Sequence, residues 1–129
     1  MEKEMEKEMI FVCYPKCTTC QKAKQYLDAH GAVYALRDIK LDNPSREELA
    51  KWHAMSGLDL KRFFNTSGLQ YRALALKDRL PGMTQDEMLD LLASDGMLVK
   101  RPLLVTGDRV LVGFKEKEWA QRFEAGMLE

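Results

Sequence analysis

Two cysteines with two residues between them stand where an apolar run gives way to an amphipathic one. No other feature constrains this 129-residue chain as much. The motif is Cys17-Thr18-Thr19-Cys20. Met9-Ile10-Phe11-Val12-Cys13 before it reads as a buried strand, Tyr14-Pro15-Lys16 as a turn, and Gln21 to His30 as a helix. A helix N-terminus presents unbonded N–H groups and the positive end of a dipole, both of which favour thiolate. A C-x-x-C at a strand-to-helix junction is therefore the pattern of a thiol-disulfide pair. Cys17, before the helix, is the expected exposed nucleophile. Cys20, about one turn in, is the expected resolving thiol, and Lys16 and Lys22 add positive charge nearby. Cys13 lies within the strand and reads first as a small buried hydrophobe. The sharper alternative is a third thiol that tunes or traps the pair.

Composition narrows the setting. Three cysteines within eight residues do not make the framework of a stapled secreted domain and suit a reducing, cytoplasmic compartment. The two histidines, His30 and His53, are too far from the cysteines in sequence to suggest a four-ligand zinc site, so no metal is expected. Lys+Arg and Asp+Glu are equal at 20 each, which leaves no bulk electrostatic footprint for direct nucleic-acid binding. No apolar run is long enough for a bilayer. The start of the chain alternates acid, base and Met as a repeated four-residue unit, without the apolar core of a signal peptide. Residues 1–8 are expected to be a disordered extension, with Met9 as a natural start.

Further along, Gly31 reads as the cap ending the first helix, and Ala32 to Ile39 as a second strand, parallel to the first. Pro44, with Ser45 and Glu48 at capping-box spacing, starts a helix that stops near Gly57. Leu58 to Phe64 reads as a short helix and Asn65-Thr66-Ser67-Gly68 as a turn. Leu69 to Leu76 has helical spacing, and Asp78 to Met83 reads as a loop. Thr84 and Glu87 repeat the capping-box spacing before a helix ending at Gly96. Leu103 to Thr106 and Val110 to Val112 make a hairpin around Gly107-Asp108-Arg109. Lys115 to Ala125 closes the chain as a helix carrying Trp119 and Phe123. The predicted fold class is α/β: a thioredoxin-like β-α-β then β-β-α order with a helical insertion, at about residues 44–98, between the halves. Residues 9–129 read as a single domain.

Two polar motifs lie outside the cysteine pair. Lys100-Arg101-Pro102 precedes the third strand, and the β-α-β-β-α order places that junction beside the first helix's N-terminus. Arg101 there either presents its guanidinium to an oxyanion or thiolate near Cys17, or is a surface residue before a strand-starting proline. A cis bond before Pro102 would suit a tight turn. Asn65-Thr66-Ser67-Gly68 offers free donors for an anion, with a plain polar turn as the default.

From about Met9 to Phe123 the chain resembles the ArsC/Spx family, arsenate reductase-like proteins with a thioredoxin fold and a helical insertion. The resemblance rests on Tyr14-Pro15-Lys16-Cys17-Thr18-Thr19-Cys20, Arg37-Asp38-Ile39, Phe64-Asn65-Thr66-Ser67-Gly68, the Leu91 to Leu98 stretch, Lys100-Arg101-Pro102 and Val112-Gly113-Phe114. It implies a nucleophile at Cys17, an Arg101 that faces it, and a cis Pro102, with Lys16 and Asn65 supporting the site. Glutaredoxin-linked arsenate reductases of this fold hold their oxyanion with three arginines and lack the second cysteine. Here only Arg101 matches, and the other two would fall near Asn65 and Gly113. Loss of two charged donors weakens oxyanion binding by several kcal/mol, at about 1.5–3 kcal/mol for each charged hydrogen bond. Spx/MgsR-like regulators do carry C-x-x-C and a basic-Arg-Pro segment, and they bind the C-terminal domain of the RNA polymerase α subunit with the disulfide as a switch. The resemblance thus implies a cytoplasmic thiol-disulfide oxidoreductase acting on a disulfide substrate. It would have no bound cofactor and would draw on an external thiol reductant such as thioredoxin, glutaredoxin or glutathione. The alternative it implies is a redox-sensing regulator.

Overall fold

The computed structural model describes residues 9–124; the expected extension over 1–8 and the Phe123 side chain lie outside the described residues. The chain forms two compact units, one from residues up to Arg37 together with those from Arg101 onward, the other from Asp38 to Lys100.

The first unit carries the sheet. Strand β1 (Met9–Cys13) leads into helix α1 (Thr18–Ala29), which returns the chain to β2 (Tyr34–Asp38) at the sheet edge. Strands β3 (Leu103–Val105) and β4 (Val110–Val112) follow, giving the order β2-β1-β3-β4 in a mixed sheet. Both β1 with β3 and β3 with β4 are antiparallel, and their register lines up Phe11, Leu104 and Leu111. Alternation along β1 puts Met9, Phe11 and Cys13 in one apolar cluster with Leu104 and Leu111. Cys20, Ala23 and Leu27 of α1 and the fully buried Trp119 of helix α6 (Glu116–Glu124) complete it.

Helix α1 begins one turn before the Gln21 expected from polarity. Its first-turn residues Thr18 and Thr19 are exposed, so the apolar stripe that reports a helix in sequence starts only at Cys20. The far end behaves as expected. Gly31 takes φ +69°, its N–H donates to Asp28 O at 3.1 Å, and the Ala32 N–H donates to Leu27 O at 3.0 Å. This paired closure requires a left-handed residue, which glycine supplies without strain.

The second unit is helical. Helix α2 (Arg46–Ser56) opens on a complete capping box between Ser45 and Glu48, and its Leu49 and Trp52 are buried. The Leu60–Phe63 turn of 3-10 helix leads to a bridge between Phe64 and Val99. The expected single helical stretch over Leu69–Leu76 is two pieces, α3 (Leu69–Ala73) and α4 (Leu76–Arg79), broken where Ala75 takes φ +52°. The segment expected as a loop from Asp78 is helical through Arg79 and continues as 3-10 over Leu80–Gly82. The reason is burial: Leu76 and Leu80, four apart, both enter the core. Helix α5 (Gln85–Ser94) has the second capping box, Thr84 with Glu87, and packs against α2. Arg46 of α2 spans to Asp86 and Asp90, each at 2.7 Å. Among the described residues no helix is long and apolar enough to cross a membrane.

Candidate thiol site

The Tyr14-Pro15-Lys16 turn is tight because its ends are bonded: the Cys17 N–H donates to Tyr14 O at 2.9 Å. Cys17 then takes extended backbone angles as the N-cap of α1, and its carbonyl accepts from the Gln21 N–H at 3.0 Å. Gln21 reaches back to Pro15 O at 3.1 Å through its side-chain amide. The cysteine side chain makes no capping bond, and the residue is half-buried, packed against the apolar cluster. Cys20 lies inside that cluster at 2 % exposure, and the Tyr14 N–H donates to its sulfur at 3.3 Å. The Cys20 thiol also hydrogen-bonds with Cys13 and with Cys17. No disulfide joins the three cysteines.

These contacts hold the Cys20 thiol well above its ordinary range. The hydrogen bond with Cys13 contributes most and burial next; the Tyr14 N–H and Cys17 act in the opposite direction. In the folded chain Cys20 keeps a proton that the unfolded chain loses near the ordinary thiol value of 9.0. Its contribution to stability is complete below that pH and declines above it, by up to about 1.4 kcal/mol for each pH unit. Urea unfolding at about pH 8 and about pH 10 checks this, because the unfolded state binds fewer protons than the native state only in the higher range. The native chain is expected to lose more stability over that interval than Cys20→Ala; equal losses would contradict the assignment.

Arg101 and Pro102 immediately precede β3. The Arg101–Pro102 bond is cis and Pro102 is buried. The Arg101 guanidinium carbon lies 5.2 Å from the centre of the Tyr14 ring, a cation–π contact that anchors the half-buried arginine over the turn bearing Cys17. Pro102 O accepts from the Gly113 N–H at 2.8 Å, and Gly113 O accepts from Trp119 Nε1 at 3.2 Å. Gly113 takes φ +76° and is a conformational glycine between Pro102 and Trp119.

Of the residues picked out in sequence, Cys17, Cys20, Arg101 and Pro102 belong to the sheet unit, with Lys16 exposed beside Cys17. Asn65 belongs to the helical unit. There its N–H donates to Leu98 O at 2.8 Å and its carbonyl accepts from the Gly68 N–H at 3.2 Å. A Cβ on Gly68 would lie 2.8 Å from Asn65 Nδ2, so the side-chain amide folds over that glycine. Tyr14 carries more of the site than its place in a turn suggested. Its N–H, its carbonyl and its ring each engage a different site residue, and the only signal for this in sequence was its adjacency to the motif.

A model of the ArsC family matches residues 13–122. The chain belongs to the ArsC family. One ArsC relative is the uncharacterized protein YusI of Bacillus subtilis, 52% identical over 115 residues that cover 89% of this chain and 98% of YusI. The regulatory protein MgsR of Bacillus subtilis is 31% identical over 114 residues, 88% of this chain and 89% of MgsR. Among solved structures, an ArsC family related protein from Bacteroides fragilis superposes with a TM-score of 0.86 at 52% identity, covering 88% of this chain and 95% of that one. The thioredoxin-like α/β fold expected from the element order is the fold found.

Proposed function

We propose that this chain is a thiol-disulfide oxidoreductase of the ArsC family that works through Cys17 and Cys20. The observation that carries the proposal is the division of the two sulfurs: Cys17 half-buried at the open end of α1, Cys20 buried in the apolar cluster against which Cys17 packs. Cys17 as thiolate attacks one sulfur of a substrate disulfide, and the other sulfur leaves as a thiol. Cys20 then attacks the mixed disulfide at Cys17, releases the second substrate thiol and closes a Cys17–Cys20 bond. An external thiol reductant of the thioredoxin, glutaredoxin or glutathione kind reopens it, so no bound cofactor is needed. Arg101, held by Tyr14, supplies positive charge for an anionic group of the substrate or for the departing thiolate. Arsenate is not the substrate this site favours, because of the three oxyanion arginines that the resemblance implies only Arg101 has a counterpart here. Three cysteines with no disulfide among them suit a cytoplasmic setting.

The likeness to MgsR, named a regulatory protein, favours a second reading. In it the same disulfide reshapes a surface that binds the C-terminal domain of the RNA polymerase α subunit. One experiment separates the two. The chain is given hydroxyethyl disulfide, and in parallel arsenate, with each of the three reductants, and both its redox forms are tested for capture of the isolated α C-terminal domain. Turnover of the disulfide is expected. Absence of turnover with capture in one redox form only would replace the oxidoreductase by the regulator, and absence of both would remove both.

A further inference from the structure

Neither role above uses Cys13. It is 5 % exposed, on the face of β1 that meets α1, and its thiol hydrogen-bonds with the same Cys20 sulfur that contacts Cys17. Cys20 therefore has two candidate disulfide partners, one inside the apolar cluster with it and one packed at its edge.

We propose that Cys13 is a third redox thiol, to which Cys20 transfers its disulfide, so that the fully oxidised protein holds a buried Cys13–Cys20 bond and presents Cys17 as a free thiol. The proposal rests on the redox pair proposed above. The step is an internal exchange: the Cys13 sulfur attacks Cys20 Sγ in the Cys17–Cys20 bond, the Cys13–Cys20 bond forms, and the Cys17–Cys20 bond breaks. Cys17 departs with the electron pair and takes up a proton equivalent to the one Cys13 loses, so the exchange itself needs no oxidant. The first disulfide comes from the substrate disulfide.

Burial gives the direction. While Cys17 and Cys20 are joined, the remaining S–H group is that of Cys13, inside the apolar cluster. After exchange no S–H remains buried, and the released sulfur is the one that water and the open N–H groups of α1 can reach. Reduction of the pair by a bulky partner is then gated, because the outer sulfur of the bond is no longer at the surface.

The chain supplies its own assay, since trypsin cuts after Lys16 and Lys22. The full chain is oxidised with hydroxyethyl disulfide, quenched in acid, alkylated with N-ethylmaleimide and digested. The expected product is a cross-link between peptides 8–16 and 17–22 with the maleimide on Cys17. A looped 17–22 peptide with the maleimide on Cys13 at all times would overturn this proposal and leave the Cys17–Cys20 pair standing. A cross-link with the maleimide on Cys20 would overturn it too. Maleimide on all three cysteines would overturn both proposals. In a thiol redox buffer, Cys13→Ala is expected to make the oxidised state about tenfold less favoured, a shift of about 30 mV to a more oxidising potential. An unchanged potential would count against the third thiol, and the peptide map of the unmodified chain decides the matter should the variant fail to fold.

Discussion

Cys17→Ser reduces thiol-disulfide turnover by a factor on the order of a thousand, as loss of an essential nucleophile does in other enzymes. The serine oxygen fits the N-cap position, where the native side chain makes no capping bond, so the fold is expected to tolerate it. Its hydroxyl does not ionise near neutral pH and cannot form the mixed disulfide. Cys20→Ser is expected to behave differently. The first attack survives because Cys17 remains half-exposed at the helix end, and the mixed disulfide accumulates because Cys20, the thiol that resolves it, is gone. Intact-mass measurement after a short exposure to hydroxyethyl disulfide distinguishes the two: one bound half-disulfide on Cys20→Ser and none on Cys17→Ser. The reverse pattern would exchange the roles of the two cysteines.

Gly96→Ala destabilises the helical unit by more than about 3 kcal/mol, beyond the usual range for overpacking. A Cβ at Gly96 would collide with the Ile39 carbonyl oxygen, lie 2.8 Å from the carbonyl carbon and stand 3.0 Å from the Asn43 Cβ. The first two obstacles are backbone, which cannot rotate away as a flexible side chain would. Asn43 is itself tied, its amide donating to Ala93 O at 2.8 Å across fifty residues. Moving the Ile39 segment would also disturb Ile39, which is fully buried. Chemical unfolding of the variant and the native chain side by side checks the size of the loss. A difference below about 1 kcal/mol would show that the segment yields at little cost.

Local chemistry explains why much of the chain was legible. Ser45 with Glu48 and Thr84 with Glu87 each satisfy two orphan N–H groups within four residues, so the helix starts they mark are those observed. Gly31 and Gly57 end their helices with φ +69° for reasons confined to one turn. Where the reading and the structure differ, packing decided. Thr18 and Thr19 are helical although polar, because the helix is anchored from Cys20 onward. Ala75 takes a left-handed angle that alanine does not favour, and the chain then places Leu76 and Leu80 in the core. Gly96 read as a helix terminus, whereas its importance comes from the Ile39 backbone, distant in sequence.

The same division runs through the site. Spacing placed Cys17 before the helix and Cys20 inside its first turn, because the two are three residues apart at a strand-to-helix junction. Sequence also determined the ArsC-type order of elements. Tertiary structure decided the company each sulfur keeps. Cys13 and Cys20 meet because β1 alternation and the α1 stripe bury them in one cluster, Tyr14 ties Arg101 to the motif through its ring, and Gly113 links Pro102 to Trp119. None of these contacts follows from spacing, since each joins groups that only the closing of the sheet and helices brings within reach.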